Sequence, residues 1–175
     1  MFAELIIGGG CFWCTEAMFL SLEGVIKVES GYSGGKVKNP SYKEVCNGET
    51  GHAECVKITY DPKKISTDDL IEIHLHSHDP TTLNRQGGDI GTQYRSVIFY
   101  DTEAGKSYLQ DRLKLAQKEF DRPIVTSLET MTHFYKAEDY HQNYYAINKD
   151  KNPYCQVVSD KLYKMMKKYS SKLKK

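Results

Sequence analysis

The chain has 175 residues and a mass of 20.0 kDa, which is enough for one domain with a sizeable core. Hydrophobic residues make up 39% of it and charged residues 27%, a composition that excludes wholesale disorder. A formal net charge of +1 gives no reason to expect nucleic-acid binding. No apolar run of about 18 residues predicts a membrane span. The apolar opening lacks a basic flank, so we expect no secretory signal.

Hydrophobic periodicity and turn residues predict short strands that alternate with helices. The expected strands are Ala3–Ile7, Val25–Gly31, Cys55–Tyr60, Arg95–Tyr100 and Ile124–Glu129. The expected helices are Phe12–Leu22, Leu70–His76 after an acidic opening at 66–69, Thr102–Phe120 and a short one around Glu138–Tyr145. The order β-α-β-β-α-β, followed by α-β, is that of a split βαβ unit. We therefore expect an α+β fold, a ferredoxin-like two-layer sandwich with a mixed, mostly antiparallel sheet and long functional loops.

The C-terminal end differs in composition from the rest of the chain. Residues 161–175 contain seven lysines and no acidic residue. A run of like charges is typical of a solvated segment, so we expect a short helix that frays into solvent. Residues 1–160 are predicted to form a single catalytic domain, since no linker or repeat divides them.

Five cysteines, at positions 11, 14, 46, 55 and 155, set the redox context. An odd number of scattered cysteines is a poor disulfide framework for a secreted protein. We therefore expect a reducing, cytoplasmic compartment, where cysteines are either buried small hydrophobes or reactive groups. Cys46 and Cys55 are expected to be structural.

The segment Gly8-Gly9-Gly10-Cys11-Phe12-Trp13-Cys14 carries the strongest chemical signal. It lies between a predicted strand and a predicted helix, which puts Cys11 at a helix N-terminus. Backbone N–H groups and the helix dipole there favour a thiolate, so we expect a lowered pKa and a nucleophilic sulfur. Cys14 follows one helical turn later. Two alternatives remain at this point: a pair of buried, inert thiols, or half of a zinc site whose second half is missing.

Three polar loops add candidate groups. Tyr32 lies in Gly31-Tyr32-Ser33-Gly34-Gly35, Glu54 begins a strand after Gly51-His52-Ala53, and Tyr94 and Asp89 lie in the polar stretch 84–96. A thiolate, a carboxylic acid and two phenols suggest a reaction in which sulfur attacks while an oxygen is protonated. The three histidines of His74-x-His76-x-His78 lie at a helix C-terminus, where the dipole explains them better than a metal does.

These segments, taken together, resemble the A-type peptide methionine sulfoxide reductases. The resemblance is carried by the blocks at 10–13, 31–35, 51–54, 60–62, 78–81, 85–96 and 134–142, which extend in order over about residues 3–158. It implies reduction of the S epimer of methionine sulfoxide, free or in proteins, through a cysteine sulfenic acid and then a disulfide.

The resemblance also implies roles for individual residues. They are Cys11 as the nucleophile, Phe12 and Trp13 as the apolar wall for the S-methyl group, Glu54 as the acid, Tyr32 and Tyr94 as hydrogen-bond donors to the oxygen, and Asp89 in substrate binding. It implies no metal and no cofactor other than a thiol reductant, thioredoxin, and a monomer. Burial among aromatic side chains is expected to keep Glu54 protonated.

The thiol that resolves the sulfenic acid is less clearly indicated. Many family members have glycine at the position of Cys14 and place resolving cysteines in a glycine-rich C-terminal tail. This chain has Cys14 itself and Cys155 in Asn152-Pro153-Tyr154-Cys155. Tethering one turn away favours Cys14; Cys155 and an external thiol are the alternatives. A thioredoxin-like oxidoreductase and a zinc module are the competing classes, but neither explains Glu54 or the 85–96 block.

Overall fold

The computed structural model describes residues 1–175. Eight strands are present: β1 Ala3–Gly8, β2 Val25–Ser33, β3 Ala53–Tyr60, β4 Arg85–Gln86, β5 Asp89–Ile90, β6 Val97–Tyr100, β7 Ser127–Thr130 and β8 Phe134–Lys136. Six α-helices accompany them: α1 Phe12–Leu20, α2 Tyr42–Cys46, α3 Thr67–Ser77, α4 Glu103–Ala116, α5 Tyr144–Asn148 and α6 Tyr154–Lys168. Short 3₁₀ turns occur at Thr92–Tyr94, Gln117–Glu119, Asp139–His141 and Ser170–Lys172.

The main sheet has six strands in the order β7-β6-β1-β3-β2-β8. Only the β6–β7 pair is parallel. The pairs β1–β3, β1–β6, β2–β3 and β2–β8 are antiparallel. The mostly antiparallel α+β architecture expected from the sequence is therefore confirmed. All five expected strands are present; β8, α2 and the short β4–β5 hairpin are additional.

Local chemistry explains where the helices start. Ser66 caps α3 through a hydrogen bond from the Asp69 N–H, and the Asp69 carboxylate accepts from the Ser66 N–H, a reciprocal capping box. Thr102 caps α4 by accepting from the Gly105 N–H. The acidic opening predicted at 66–69 is thus the start of α3.

The expected helix around Glu138–Tyr145 is interrupted. A 3₁₀ turn covers Asp139–His141, and α5 begins only at Tyr144. Between them, the Gln142 side chain accepts from the Ser30 N–H and donates to the Ser30 carbonyl, as a further strand would. Asn143 then adopts a left-handed conformation with φ of 56°. Anchoring of this loop to β2 therefore overrides its helical pattern.

The main core lies between one face of the sheet and the helices. Its buried members include Ile7, Phe19, Ile58 and Leu70. A smaller cluster of Ala53, Cys55, Val97 and Phe99 covers the opposite face. Side chains along β3 alternate between the two, so even-numbered positions face the helices and odd-numbered ones face away.

The lysine-rich end is packed, contrary to the expected fraying. Helix α6 runs through residue 160 without a break, and Met165 and Tyr169 belong to the main core. Beyond α6, Lys172 forms a salt bridge with Asp69, and its carbonyl accepts from the Glu23 N–H. The lysines are spaced so that the apolar residues between them share one helix face, which the charge count hides. The helices lack the length and apolar character that a membrane-crossing helix needs.

Candidate active site

The β1–α1 junction places Cys11 at the base of a tight turn. Gly10 has φ of +80°, and a Cβ there would contact the Gln86 side chain at 2.9 Å. The Gly10 N–H donates to the Tyr94 carbonyl, which holds the turn against the 3₁₀ segment. Cys11 is the N-cap of α1, with extended ψ of 127° and no side-chain capping bond. The Cys11 sulfur is thus left free at the helix N-terminus, where the sequence placed it.

Glu54 and Tyr32 are brought together by strand register. They are directly opposed across the β2–β3 pair, so their side chains share the face that α1 covers. Glu54 is 1% exposed, and its Oε1 accepts from the Phe12 N–H at 3.2 Å. Its Oε2 has no protein partner. The Tyr32 hydroxyl donates to Glu138 at 2.9 Å. One carboxyl oxygen is therefore anchored at the start of α1 and the other is available for a ligand.

Burial makes Glu54 a weak acid. Desolvation raises its pKa from 4.5 to about 8, because the single backbone hydrogen bond from Phe12 does not offset the loss of water and the negative charge of Asp89 adds to the effect. At pH 7 the carboxyl group is therefore mostly protonated, as expected from its aromatic surroundings.

Cys11 and Cys14 are close enough to perturb each other's ionisation. Burial, the neighbouring Cys14 thiol and the charge of Glu54 together raise the pKa of Cys11. The neighbouring Cys11 thiol and the positive charge of Lys161 lower the pKa of Cys14. The expectation that the helix N-terminus lowers the pKa of Cys11 is thus wrong for the resting protein, because desolvation dominates. The two thiols titrate as a pair, and the first negative charge is shared between them.

Trp13 is held by a cluster of aromatic side chains. Its indole N–H donates to Nδ1 of the buried His141 at 3.0 Å. Its ring stacks on Tyr144 with centroids 3.7 Å apart and meets the edge of Tyr154 at 6.0 Å. Burial lowers the pKa of His141, which keeps the imidazole neutral and able to accept this bond. Phe12 packs beside it, 5.2 Å from the His141 ring. An oriented aromatic wall therefore lies next to the thiol pair.

Asp89 and Tyr94 complete the predicted set from the β4–β5 hairpin and the turn after it. Asp89 accepts a hydrogen bond from the Tyr154 hydroxyl at 2.8 Å. The phenol of Tyr94 lies close enough to Glu54, Asp89 and Cys11 for their negative charges, together with burial, to raise its pKa. Both phenols thus remain protonated donors at neutral pH. All of the candidate residues named from the sequence meet at the N-terminal end of α1.

The remaining cysteines differ in position. All five are free thiols. Cys155 is fully buried in the first turn of α6, where burial and the nearby charge of Cys14 raise its pKa. Cys55 points to the opposite face of the sheet and donates to the Gly31 carbonyl. Cys46 lies beside Tyr42 and near Glu54, at the edge of the site. Cys155 thus lies on the Cys14 side of the pair.

The histidines of α3 do not form a metal site. His74 and His78 stack at 4.3 Å in the core, whereas His76 forms a salt bridge with Glu119 on the surface. A Cβ at Gly9 would lie 2.7 Å from the His78 ring, which gives that glycine a packing role. No group of three or more His, Cys, Asp or Glu side chains in the structure is placed to hold a metal ion.

Sequence reasoning missed several residues that shape the site. Glu138 accepts from Tyr32 and from the Tyr42 N–H, and Tyr42 packs against His141 at 4.3 Å. Tyr144 and Tyr154 contact Trp13. The density of aromatic residues in 132–153 was the available signal for Tyr144, and Tyr154 follows directly after that stretch. Nothing near Tyr42 marked it, since only the tertiary fold brings α2 to this place.

Similar proteins were found in both sequence and structure. The family model described as peptide methionine sulfoxide reductase matches residues 3–174. A protein of Sulfolobus acidocaldarius called "Peptide methionine sulfoxide reductase MsrA" is 52% identical over 168 residues, which is 95% of this chain and 94% of that protein.

Two solved yeast structures resemble the fold. Mxr1 from Saccharomyces cerevisiae in its reduced form has a TM-score of 0.81 and 35% identity, covering 86% of this chain and 88% of that one. Mxr1 in complex with Trx2 has a TM-score of 0.59 and 26% identity, covering 82% and 84%. The likeness thus extends over most of each chain.

Proposed function

The chain belongs to the peptide methionine sulfoxide reductase family, and from that membership we propose how its site performs the reaction. The enzyme reduces methionine sulfoxide to methionine with thiols as the source of electrons, a reaction that repairs oxidised proteins. We propose that the S epimer at sulfur is its substrate. The observation that carries the proposed mechanism is Glu54, a buried neutral acid whose Oε2 is free beside the thiol pair.

The substrate is proposed to bind with its S-methyl group against Phe12 and Trp13 and its oxygen toward Glu54. A sulfoxide oxygen is a poor leaving group until it is protonated, and Glu54 holds a proton at pH 7. Tyr94 is proposed to donate a hydrogen bond to the same oxygen, and Tyr32 to do so by turning its hydroxyl from Glu138 toward the bound substrate. Asp89 is proposed to orient the substrate, with Tyr154 fixing its carboxylate through the 2.8 Å hydrogen bond.

Cys11 is proposed to attack the sulfoxide sulfur. Its proton passes to Cys14, which accepts it as the thiolate of the pair, and Glu54 gives its proton to the oxygen. The oxygen is then transferred to the Cys11 sulfur, the sulfoxide is reduced to the sulfide, and Cys11 is oxidised to a sulfenic acid. Glu54 recovers a proton from solvent, so the acid is regenerated.

Cys14 is proposed to resolve the sulfenic acid. Its sulfur attacks Cys11, the S–O bond breaks, and the hydroxide leaves as water with the Cys14 proton. Three residues along a helix separate Cα atoms by about 5 Å, within the range of disulfides. The Cβ atoms must approach by about 1 to 2 Å. Because Cys11 is a non-helical N-cap, this needs rotation mainly about its own backbone.

Cys155 is proposed to act after Cys14, in a second step of thiol–disulfide exchange. It lies near Cys14 and is buried at the start of α6. Its sulfur is proposed to attack the Cys14 sulfur of a Cys11–Cys14 disulfide, which releases Cys11 as a thiolate for another turnover. A dithiol protein of the thioredoxin class is proposed as the final reductant, supported by the yeast relative found in complex with Trx2.

Three further properties are proposed. A monomer is proposed, as the family resemblance implies. Five free thiols suit a reducing compartment such as the cytoplasm. The order β6-β1-β3-β2 of the central strands supports the ferredoxin-like description of the core.

A single-turnover experiment tests the mechanism. The reduced enzyme is mixed with either epimer of a methionine sulfoxide peptide, with no reductant, and methionine and intact mass are followed with time. We expect a first equivalent of methionine per chain, from the S epimer alone, with loss of two thiols in a Cys11–Cys14 disulfide, and a second, later equivalent once Cys155 has displaced Cys11 from that disulfide. Activity on the R epimer only would overturn the substrate assignment. A Cys11–Cys155 bridge as the first disulfide would overturn the role of Cys14.

A further inference from the structure

A small cavity is lined by both thiols of the pair and does not include Glu54. Its volume is about 20 Å³, which is room for one water molecule. It is enclosed by three elements: the β1–α1 turn with Cys11 and Cys14, the end of α3 with His78, and α6 with Val158, Lys161 and Leu162. The cavity therefore joins the redox thiols to the C-terminal helix.

Lys161 contributes the only fixed positive charge at this cavity. The ionisable groups that face the thiol pair are Glu54, His78, Asp89, Tyr94, Tyr154, Cys155 and Lys161. His78 is neutral, because burial lowers its pKa to about 4. The others are neutral or negative. A negative charge on the pair thus has one cation available to stabilise it.

The position of Lys161 on α6 is set by packing around it. Val158, Leu162 and Met165 share its helix face and pack toward α1, so the lysine stem lies along an apolar surface. Unlike Lys27, Lys57 and Lys172, it forms no salt bridge with a carboxylate. Its charge is therefore not neutralised by an acidic partner.

We propose that Lys161 is a positioning residue whose ammonium group, at the cavity that Cys11 and Cys14 also line, stabilises the single negative charge of this thiol pair. This inference rests on the proposed roles of the two cysteines. Without such a charge the buried pair stays protonated at neutral pH, since desolvation opposes a thiolate. The lysine-rich helix thereby supplies a functional group, as well as part of the core.

The experiment compares Lys161→Met, Lys161→Arg and the control Lys167→Met. Both lysines are exposed on α6, but only Lys161 lines the cavity, so the control removes the same charge elsewhere on the helix. Thiolate absorbance near 240 nm is followed during a pH titration of each reduced protein, at low and high salt. We expect Lys161→Met to lower the thiolate fraction at pH 7 roughly 3- to 10-fold, and the rate of methionine formation in a single turnover by the same factor. Lys161→Arg should restore both, and Lys167→Met should match the wild type.

Two further arms separate this inference from the proposed function. In a Cys14→Ser background, where no charge can be shared, Lys161→Met should lose its effect on the titration. High salt should weaken the wild-type thiolate but not that of Lys161→Met. Equal titrations for the wild type and Lys161→Met would overturn the role of Lys161. Absence of methionine from wild-type enzyme would overturn the proposed function instead, whatever the titrations show.

Discussion

Replacing Glu54 by glutamine should remove activity and stabilise the protein at the same time. Glutamine keeps the size of the side chain and an oxygen that can accept from the Phe12 N–H, but it has no acidic proton. Loss of a general acid typically lowers turnover by about 10²- to 10⁴-fold. Binding of substrate depends on the aromatic wall and should persist.

The stability effect follows from the raised pKa. In the unfolded chain Glu54 loses its proton near pH 4.5, whereas in the folded protein it keeps the proton up to about pH 8. Between these values the unfolded state binds fewer protons, so the free energy of unfolding falls as pH rises. At 1.36 kcal/mol per pH unit, the loss between pH 5 and pH 8 is roughly 3 to 4 kcal/mol. Glutamine does not ionise, so the unfolding free energy of the variant does not fall with pH for this reason.

Urea unfolding at pH 5, 6, 7 and 8 under reducing conditions measures the effect. The difference in unfolding free energy, Glu54→Gln minus wild type, should increase with pH and level off above about pH 8. Glu49→Gln makes the same chemical change at an exposed position and should leave turnover unchanged. If the unfolding free energies of the wild type and Glu54→Gln changed with pH in parallel, Glu54 would not be neutral in the folded protein. It would then not be the source of the proton for the sulfoxide oxygen.

Three other results are expected. His141→Phe keeps a ring beside Phe12 but removes the acceptor for the Trp13 N–H, so KM for a sulfoxide peptide should rise roughly 5- to 10-fold with a smaller change in kcat; an unchanged KM would contradict the orienting role. Tyr32→Phe and Tyr94→Phe together should lower kcat by at least about 100-fold and each alone by less, because both phenols donate to one oxygen. Small, additive effects in steady-state kinetics would contradict this shared role. Met165→Ala should lower the unfolding free energy by roughly 2 to 4 kcal/mol in urea, whereas a change under about 0.5 kcal/mol would mean that the end of α6 is not part of the core.

The fold could be predicted largely from local pattern. The strands alternate apolar and polar residues, and Ser66 and Asp69 mark the start of α3 by chemistry that neighbouring residues complete. Strand β8 could not be predicted in this way. It has three residues, and it exists because Tyr135 and its neighbours pair with β2, more than 100 residues earlier. The C-terminal helix was misjudged because counting lysines ignores that Met165 and Tyr169 share a face.

The site residues likewise fall into those that could be identified from the sequence and those that could not. Motif residues such as Glu54 and Tyr32 were identified by their resemblance to a family, and strand register then explains why they lie side by side. The residues that orient them come from distant segments: Glu138 reaches Tyr32 across 106 positions, and His141 reaches Trp13 across 128. The block at 134–142 marks the segment that holds Glu138 and His141, but a single sequence does not show which distant side chains they contact.

The reaction needs both a protonated acid and a thiolate in one small site, and the pKa of Cys11 shows that these two requirements conflict. The sulfoxide oxygen needs an acid, and an apolar environment provides one by raising the pKa of Glu54. The same environment raises the pKa of the attacking thiol, so helix position alone does not give a thiolate. An ionised Glu54 would oppose it further, whereas a neutral one removes that repulsion. Sharing the charge with Cys14 then lets one sulfur attack while the other holds the proton, and the C-x-x-C spacing serves both reduction and resolution.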